Sequence, residues 1–467
     1  MAFSSVQFLF IFLPLSLAVY WLLPKALRNG ALGAFSLLFF AWAGLKGAAI
    51  LLALAAITWL GGLLLEKLPR KKPLLILLIA AHLAVLAAFK YAGFAARSIN
   101  ALVPDLLPVF APALPLGISF YVFTAIGYLA DVSCGKVAAA RSPFRFFVFL
   151  AFFGHGPSGP IVRYDQQLPC LDAKAAERQV SLDRFCYGIK RFVLGLAKKA
   201  IIADQLALIY SRVTSVPAAT VPAPALVLGY LAYMMQLYFD FSGYSDMAIG
   251  IGSFFGLELP ENFNYPYLSC SVGEYWRRWH MSLSGWFRDY VYIPLGGSRC
   301  SKGRLVWNLF VVWSLTGLWH GANWTFVCWG LWFFVLLSFE KLVWGKTLAR
   351  LPGIVRHAYA MLAVFIGWIF FRSPSLPYAF SFLRALFVPG ASAPDALSWL
   401  TLCIRQYGVQ LGICLLLSTN LGTSVWAALG KTKAGRAGRL LFLLVVLGLS
   451  VLSMAGSGMQ AFIYAQF

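Results

Sequence analysis

Residues 73–94 read PLLILLIAAHLAVLAAFKYAGF, and His82 and Lys90 are the only basic side chains in this run. An apolar run of about 20 residues is typical of a helix that crosses a lipid bilayer. Comparable runs recur along the chain, because 61% of its 467 residues are apolar and only 12% are charged, whereas soluble domains carry about 25% charged residues. The sequence therefore predicts an all-α polytopic membrane protein and excludes a soluble enzyme, a disordered chain and a disulfide scaffold.

Apolar runs of this kind predict about twelve membrane-spanning segments. They cover 6–23, 31–45, 47–65, 73–94, 113–131, 200–213, 225–250, 305–319, 324–340, 358–371, 401–419 and 440–456. Several are shorter than about 17 residues, so we expect incomplete crossing or local thinning of the bilayer there. Two stretches, 146–170 and 256–304, do not fit simple crossing helices. Because non-helical backbone at membrane depth must be buried in protein or line a wet cavity, both stretches indicate a functional site.

The chain carries 38 basic and 16 acidic residues, a formal net charge of +22. In a soluble protein this surplus would suggest nucleic acid, but in a membrane protein it predicts topology, because Lys and Arg are retained in cytoplasmic loops. With the N-terminus outside, the basic groups fall on the cytoplasmic side at 25–28, 67–72, 136–145, 277–304, 341–356 and 431–439. Such a surface also attracts anionic headgroups and phosphate-bearing ligands. We therefore expect membrane lipid as a partner and no nucleic acid.

His320 lies in the sequence LTGLWHGANW at 315–324, between two apolar runs. An ionisable group within a membrane is costly and is a functional candidate by default. Imidazole has a pKa near neutrality, so His320 could take a proton from a hydroxyl as a general base. A histidine that only forms a hydrogen bond between packed helices remains the alternative. Gly317 and Gly321 would allow another backbone or a thin substrate to approach closely.

The stretch 274–290 reads EYWRRWHMSLSGWFRDY. At about 100° per residue, a helix would place its aromatic side chains on one arc and its arginines on the other. The sequence thus predicts an interfacial amphipathic helix, with His280 at the border of the aromatic face and Arg277 beside it. The pattern leaves open whether His280 has a structural or a site role, and whether Arg277 faces lipid or a charged ligand.

The run QLYFDFSGYSD at 236–246 places Asp240 and Asp246 at the end of an apolar segment. Buried carboxylates need partners. We therefore expect Asp240 to accept a hydrogen bond from Tyr244 or to pair with an arginine of another loop, and Asp246 to cap or pair similarly. A direct proton-relay role is the alternative. For His82 we expect an interhelical hydrogen bond. The eight cysteines are scattered without metal-ligand spacing, so no metal site is predicted.

Longer motifs surround these residues. They are the run 240–246, LPENFNYPY at 259–267, YWRRWH at 275–280, WFRDYVYIPLGG at 286–297 and LWHG at 318–321. Supporting pieces are LPLGISFY at 114–121, GPIVRY at 159–164 and GWIFFR at 367–372. This combination closely resembles the membrane-bound O-acyltransferase family, with the bacterial alginate O-acetyltransferase branch as the nearest match. The resemblance implies one integral-membrane domain over 1–467 with a motif core at about 114–340.

The resemblance also implies a ring of tilted helices with re-entrant segments around a central tunnel, which joins a cytoplasmic donor entrance to an extracytoplasmic opening. It maps the family's catalytic histidine onto His320 and its second motif histidine onto His280. Candidates for acyl-donor or tunnel contacts are Trp276, Arg277, Trp279, Trp319, Asn323 and Arg163. The structural motif consists of Asp240, Ser242, Tyr244 and Asp246.

The reaction that the resemblance implies needs no bound cofactor. A bacterial inner-membrane O-acyltransferase takes an acetyl group from a cytoplasmic acyl thioester, such as acetyl-CoA. It delivers the group toward hydroxyls of a cell-surface polysaccharide, such as alginate, peptidoglycan or cellulose, with a periplasmic acetyltransferase as partner. The alternative is a proton-coupled transporter or flippase in which His320, Asp240 and Asp246 relay protons. Thioester consumption separates the two, because a transporter consumes none.

The predicted topology places the loops 67–72 and 431–433 in the cytoplasm and the loop 215–224 outside, because Lys and Arg concentrate in cytoplasmic loops. In a variant without native cysteines, a single cysteine in 215–224 should react with an impermeant maleimide in intact cells. Cysteines in 67–72 or 431–433 should react only after the membrane is opened. Labelling of a cysteine in 67–72 in intact cells would contradict the predicted topology and place these basic loops on the side opposite to the cytoplasmic donor.

Overall fold

The chain is helical throughout the part that can be described. This computed structural model describes residues 1–172, 181–215, 217–388, 396–456 and 462–463. Within these ranges the backbone forms helices and turns and no β-strand. The predicted all-α class is therefore confirmed. Its physical reason is the composition, since apolar segments in hydrocarbon must satisfy their backbone hydrogen bonds internally.

The described residues form twenty-one α-helices. Helices α1 to α10 are Leu13–Leu22, Arg28–Ala43, Leu45–Lys67, Lys71–Lys90, Ala92–Asn100, Ile118–Ser133, Pro143–Ala151, Tyr164–Asp172, Leu182–Ala197 and Asp204–Thr214. Helices α11 to α21 are Ala223–Phe254, Val272–Arg278, Met281–Phe287, Lys302–His320, Trp324–Phe339, Gly345–Arg350, Gly353–Arg372, Leu376–Phe387, Ala396–Leu417, Leu421–Leu429 and Lys433–Gly456. π-Helical turns extend helices at Phe8–Phe12, Lys198–Ala203, Arg288–Tyr292 and Glu340–Trp344.

The chain divides into two compact units. Unit 1 comprises Met1–Phe192 and Tyr244–Glu261, and unit 2 comprises Val193–Gly243 and Asn262–Ile463. Helices α1 to α8 belong to unit 1, and α10 and α12 to α21 belong to unit 2. The single domain over 1–467, the ring of tilted helices and the central tunnel stay predictions.

In the described part of the chain, six helical segments are long and apolar enough to cross a membrane. They are Lys25–Ala43, Leu45–Lys67, Lys71–Lys90, Trp324–Arg350, Gly353–Arg372 and Lys433–Gly456. A seventh results if Thr401–Leu417 and α20, which are bent by 79°, form one broken span. Each of the twelve predicted runs overlaps a helix, and the number of runs that cross the membrane stays a prediction. The other described helices are too short or not apolar enough to meet the same criterion.

In unit 1, α3 and α4 are joined by a buried hydrogen bond of His82. Its Nδ1 lies 2.7 Å from the carbonyl oxygen of Leu78, which can only accept, so Nδ1–H donates and Nε2 carries the lone pair. Nε2 lies 2.8 Å from Oγ1 of Thr58 on α3. The predicted interhelical hydrogen bond of His82 is confirmed. Thr58 is the partner of Nε2, and the carbonyl oxygen of Leu78 is the partner of Nδ1.

Unit 2 contains a buried ionic cluster around Lys199. Its Nζ lies 2.7 Å from Oδ1 of Asp240 and 2.9 Å from Oδ1 of Asp204. The side chains of Lys199 and Asp240 are each 2% exposed, and Oδ2 of Asp240 accepts the Ile463 N–H at 2.9 Å. The predicted partners of Asp240, Tyr244 or an arginine, are wrong. The partner of Asp240 is instead Lys199, which is far away in sequence. A buried carboxylate and a buried ammonium group each need an opposite charge, and the two satisfy each other.

In unit 1, Asp246 forms an ion pair with Arg191 of α9, with 2.5 Å between Oδ1 and Nη2. Nη2 of Arg191 also donates to Oε2 of Glu261 at 2.9 Å. The predicted pairing of Asp246 is confirmed. Tyr244 stacks on Phe3, with ring centroids 4.8 Å apart. These contacts give the motif residues of unit 1 packing roles.

Replacing Lys199 with Met should lower the free energy of unfolding by about 3–5 kcal/mol, because two buried carboxylates lose their counter-ion. Thermal denaturation in detergent, followed by size-exclusion chromatography, measures the change. Lys198→Met is the matched control, since Lys198 is the adjacent residue and is only half-buried. Equal losses of stability in the two variants would contradict a structural role of the cluster.

Candidate active site

The segment of unit 2 that carries His280 is not one continuous helix. Helix α12 ends at Arg278, and α13 begins at Met281 after a turn in which His280 has φ 44° and ψ 54°. This left-handed conformation costs a side-chain-bearing residue about 1–2 kcal/mol. The carbonyl oxygen of Asn262 accepts the Met281 N–H at 2.9 Å, which replaces a helical hydrogen bond. The predicted amphipathic helix over 274–290 is therefore wrong, because tertiary contacts outweigh the periodicity.

Most of the predicted aromatic face is nevertheless buried, and Arg277 is exposed, as the pattern predicts. The buried residues of that face include Trp276, Trp279, Leu283, Trp286 and Phe287. Tyr290 on the same face is half-buried, and Tyr275 outside it is buried as well. The ring of Trp276 packs against Trp313 and Phe333, each at a centroid distance of 4.9 Å. Trp279 packs against Trp368 at 5.1 Å. The two tryptophans thus hold α12 and the following turn against α14, α15 and α17.

The side chain of Asn262 holds the imidazole of His280. Its Nδ1 lies 3.2 Å from Oδ1 of Asn262, and the same Oδ1 accepts the Ser282 N–H at 3.1 Å. Because a backbone N–H needs an acceptor, this atom is the amide oxygen, so Nδ1–H of His280 donates to it and Nε2 carries the lone pair. Burial lowers the pKa of His280 to about 3. The imidazole of His280 is therefore neutral at physiological pH.

His320 is the last residue of α14 and is 2% exposed. Its ring meets Trp329 edge-on at a centroid distance of 4.8 Å and Phe371 at 5.2 Å. Helices α14 and α15 cross closely here, because a Cβ on Gly317 would lie 2.5 Å from the carbonyl oxygen of Phe326. The predicted approach of another backbone at Gly317 is confirmed. His320 thus lies where two helices and an aromatic wall converge.

Trp319 joins the two histidines. Its ring lies 4.9 Å from that of His320 and 5.9 Å from that of His280, in edge-on geometry. The ring of Phe241 also packs against His280, with ring centroids 4.7 Å apart. Burying a charge among aromatic rings is costly, so these surroundings favour neutral imidazole. Two neutral imidazoles beside one indole can accept protons and hydrogen bonds, which suits general-base chemistry on a hydroxyl.

The other predicted site residues have different surroundings. Asn323 is the N-cap of α15: its Oδ1 accepts the Thr325 N–H at 3.1 Å, and its Nδ2 donates to the carbonyl oxygen of Pro374 at 3.0 Å. Ser242 is buried in unit 2. Arg163 is half-buried and belongs to unit 1, whereas both histidines belong to unit 2. Asn323 thus has a structural capping role, and Arg163 is not among the residues gathered around the histidines within unit 2.

A carboxylate that the sequence analysis does not predict clamps the start of α12. Oε1 of Glu340 accepts the Val272 N–H at 2.7 Å, and Oε2 accepts the Gly273 N–H at 2.9 Å. Ser271 accepts the Glu274 N–H through its Oγ at 3.0 Å. These bonds satisfy amides that a helix start leaves without helical partners. Glu340 therefore ties α12, and through it Trp276 and His280, to the end of α15.

The same helix start carries a reciprocal cap. The side chain of Glu274 accepts the Cys270 N–H at 2.9 Å and pairs with Arg278 at 2.8 Å. Partial burial raises the pKa of the Glu274 carboxyl, but the bonds from Cys270 and Arg278 outweigh it and hold that pKa below its usual range. Ser271 is the N-cap, so the sequence SVGE has the spacing of a capping box, although the Glu274 carboxylate bonds to the N–H of Cys270, the residue before the N-cap. No local pattern signals Glu340 or Asn262, because their partners lie far away in sequence.

Comparison with known proteins agrees with the motifs. The model of the membrane-bound O-acyltransferase family matches residues 138–381, a range that includes His280, His320 and Glu340. The chain is 40% identical to the probable alginate O-acetylase AlgI of Azotobacter vinelandii, over 83% of this chain and 78% of that protein. It is 42% identical to the protein of the same name from Pseudomonas syringae pv. tomato, over 83% and 75%. It is 31% identical to the peptidoglycan O-acetyltransferase of Helicobacter pylori, over 82% and 79%.

Glu340→Ala should lower the free energy of unfolding by about 1.5–3 kcal/mol, because buried amides lose a charged acceptor. Glu340→Gln keeps one acceptor oxygen and should lose less. The local effect should appear as faster trypsin cleavage after Arg277, which is exposed and follows the clamped helix start. Glu258→Ala is the control, because the Glu258 side chain is 74% exposed. Unchanged cleavage in Glu340→Ala would contradict the clamp.

Proposed function

This chain belongs to the membrane-bound O-acyltransferase family and is an O-acyltransferase, and on that premise we propose that it acetylates hydroxyls of a cell-surface polysaccharide. The proposed donor is a cytoplasmic acyl thioester such as acetyl-CoA. Relatives named as alginate O-acetylases and as a peptidoglycan O-acetyltransferase support an acetyl group and a saccharide acceptor. The proposed location is the bacterial inner membrane, with a periplasmic acetyltransferase as partner.

The observation that carries the proposal is the position of His320, buried at the end of α14 and sharing the ring of Trp319 with His280. In such apolar surroundings the neutral imidazole is the favoured form, and neutral imidazole is a base. A hydroxyl that reaches His320 can therefore be deprotonated while it attacks the thioester.

The proposed step has His320 as general base. It takes the proton of the acceptor hydroxyl while the hydroxyl oxygen attacks the carbonyl carbon of the thioester. The new C–O bond forms, the C–S bond breaks, and the thiolate leaves and takes up the proton from His320. Atoms and charge balance without a metal or a cofactor. Positioning of the two reactants in one apolar site supplies the rest of the rate enhancement.

His280 has a different proposed role. Because Nδ1–H donates to Asn262, the lone pair on Nε2 can accept a hydrogen bond from an N–H or O–H group of a bound reactant. The ring is fixed by the left-handed turn and by Asn262. We assign His280 to orienting the donor, together with the buried rings of Trp276 and Trp279, and we assign Arg277 to attracting its phosphates from the surface.

His320→Ala should lower acetyl transfer by about 10²- to 10⁴-fold while the protein still folds and inserts into the membrane, because the substitution removes the base. The assay follows thioester consumption and O-acetyl groups on the polysaccharide in purified membranes. Wild-type membranes should consume thioester in proportion to acetylation, whereas a transporter would consume none. Near-normal acetylation by well-folded His320→Ala would overturn the assignment of the base.

The two histidines should differ when each is replaced by Gln, which forms hydrogen bonds but does not carry a proton at neutral pH. His320→Gln should be nearly inactive at any donor concentration. His280→Gln should retain measurable transfer with a raised KM for the donor. Steady-state kinetics at saturating and limiting thioester make the comparison. Equal and complete loss in both folded variants would mean that the histidines act as one catalytic unit.

A further inference from the structure

Unit 1 contains a cavity of about 700 Å³ that the acyl-transfer proposal does not use. Its wall is formed by the turn between α2 and α3, the end of α4 and the segment 112–120 that leads into α6. Gly117 in this segment has φ 71°, and a Cβ there would lie 2.5 Å from the carbonyl oxygen of Gly156. Glycine thus allows the segment to pack against the turn that contributes Pro157 to the wall.

The ends of three helices indicate the depth of this cavity in the membrane. Helix α2 ends at Ala43, α3 begins at Leu45 and α4 ends at Lys90. All three are among the helices long and apolar enough to cross a membrane. Lipid headgroups lie where such helices leave the hydrocarbon. The cavity therefore lies at the boundary between headgroups and acyl chains.

One part of the wall is apolar. Phe40, Ile50, Phe89 and Phe120 line it, together with prolines of the segment 112–120. None of these side chains offers a hydrogen bond to a polar ligand. A hydrocarbon chain fits this surface, since it loses little by leaving the bilayer and gains close packing.

Another part of the wall is cationic. Lys46 lines the cavity and is exposed, and Ser119 in the wall accepts a hydrogen bond from Nζ of Lys90 at 3.2 Å. Among the described residues that line the cavity there is no Asp or Glu. The cavity thus offers positive charge at one place and hydrocarbon contacts at another, and its charge complements an anionic headgroup.

We propose that this cavity binds one anionic phospholipid, with its phosphate at Lys46 and an acyl chain along Phe40, Ile50 and Phe89. Basic pockets between membrane helices bind anionic headgroups. The cationic group of a zwitterionic lipid is repelled by Lys46, which makes that lipid the weaker ligand. A free inorganic anion would leave the apolar wall without a partner.

The test uses the purified full chain in a mild detergent. Phosphatidylglycerol and phosphatidylcholine with identical acyl chains are added in equal amounts, and native mass spectrometry counts the lipids retained. Wild type should retain one phosphatidylglycerol in preference to phosphatidylcholine. Lys46→Gln should lower the retention of phosphatidylglycerol by about fivefold, the effect of one basic residue near an anionic headgroup. Ile50→Trp, which puts a larger side chain into the cavity, should lower the retention of both lipids.

Lys72→Gln is the matched control, because Lys72 is an exposed lysine at the opposite end of α4 and does not line the cavity. It should leave retention unchanged. Lys46 is exposed, so Lys46→Gln should fold normally, and thermal denaturation checks each variant. Equal retention of the two lipids by wild type, equal loss in Lys46→Gln and Lys72→Gln, or no retained lipid at all would overturn the proposal.

Discussion

Buried backbone amides of the irregular segment 262–287 in unit 2 must find partners within the protein, because a buried N–H group without an acceptor is costly. Asn262, Ser271, Glu274 and Glu340 meet this requirement, and each accepts at least one backbone N–H of the segment. Their bonds determine where α12 begins and where the left-handed turn lies. The position of His280 follows from them, so the polar side chains of this segment act mainly on its backbone.

The same constraint separates two kinds of ionisable residue. The carboxylates of Asp240 and Asp246 have basic partners, in Lys199 and Arg191, and these pairs stabilise helix packing within their own units. The imidazoles of His280 and His320 are surrounded by aromatic rings instead. A carboxylate paired with a buried ammonium or guanidinium group is held in its ionised form by that partner, whereas a neutral imidazole keeps a ring-nitrogen lone pair that can accept a proton. This difference favours histidine over aspartate as the proton acceptor.

Several elements could be predicted because their signals are local. The apolar runs predict the helices. The position between two apolar runs identifies His320 as a candidate, because an ionisable residue is costly there. The spacing of Ser271 and Glu274 is typical of a capping box. The prediction of a continuous helix over 274–290 is wrong because contacts distant in sequence decide the backbone there. The periodicity of this stretch correctly predicts the burial of Trp276, Trp279, Trp286 and Phe287. The backbone breaks at His280, however, where contacts with Asn262 replace helical hydrogen bonds.

The sequence by itself determined that this is a membrane protein, its helical class, its family and which histidines are site candidates, because composition, periodicity and motif spacing act over short stretches of chain. Only the tertiary structure decided which partners these residues have: Lys199 for Asp240, Asn262 for His280, Glu340 for the start of α12, and Trp319 between the two imidazoles. In the first three pairs the residues lie 18 to 68 positions apart in the chain. Buried charges and amides take whichever partner the packing brings within hydrogen-bond distance, and no local pattern encodes that distance.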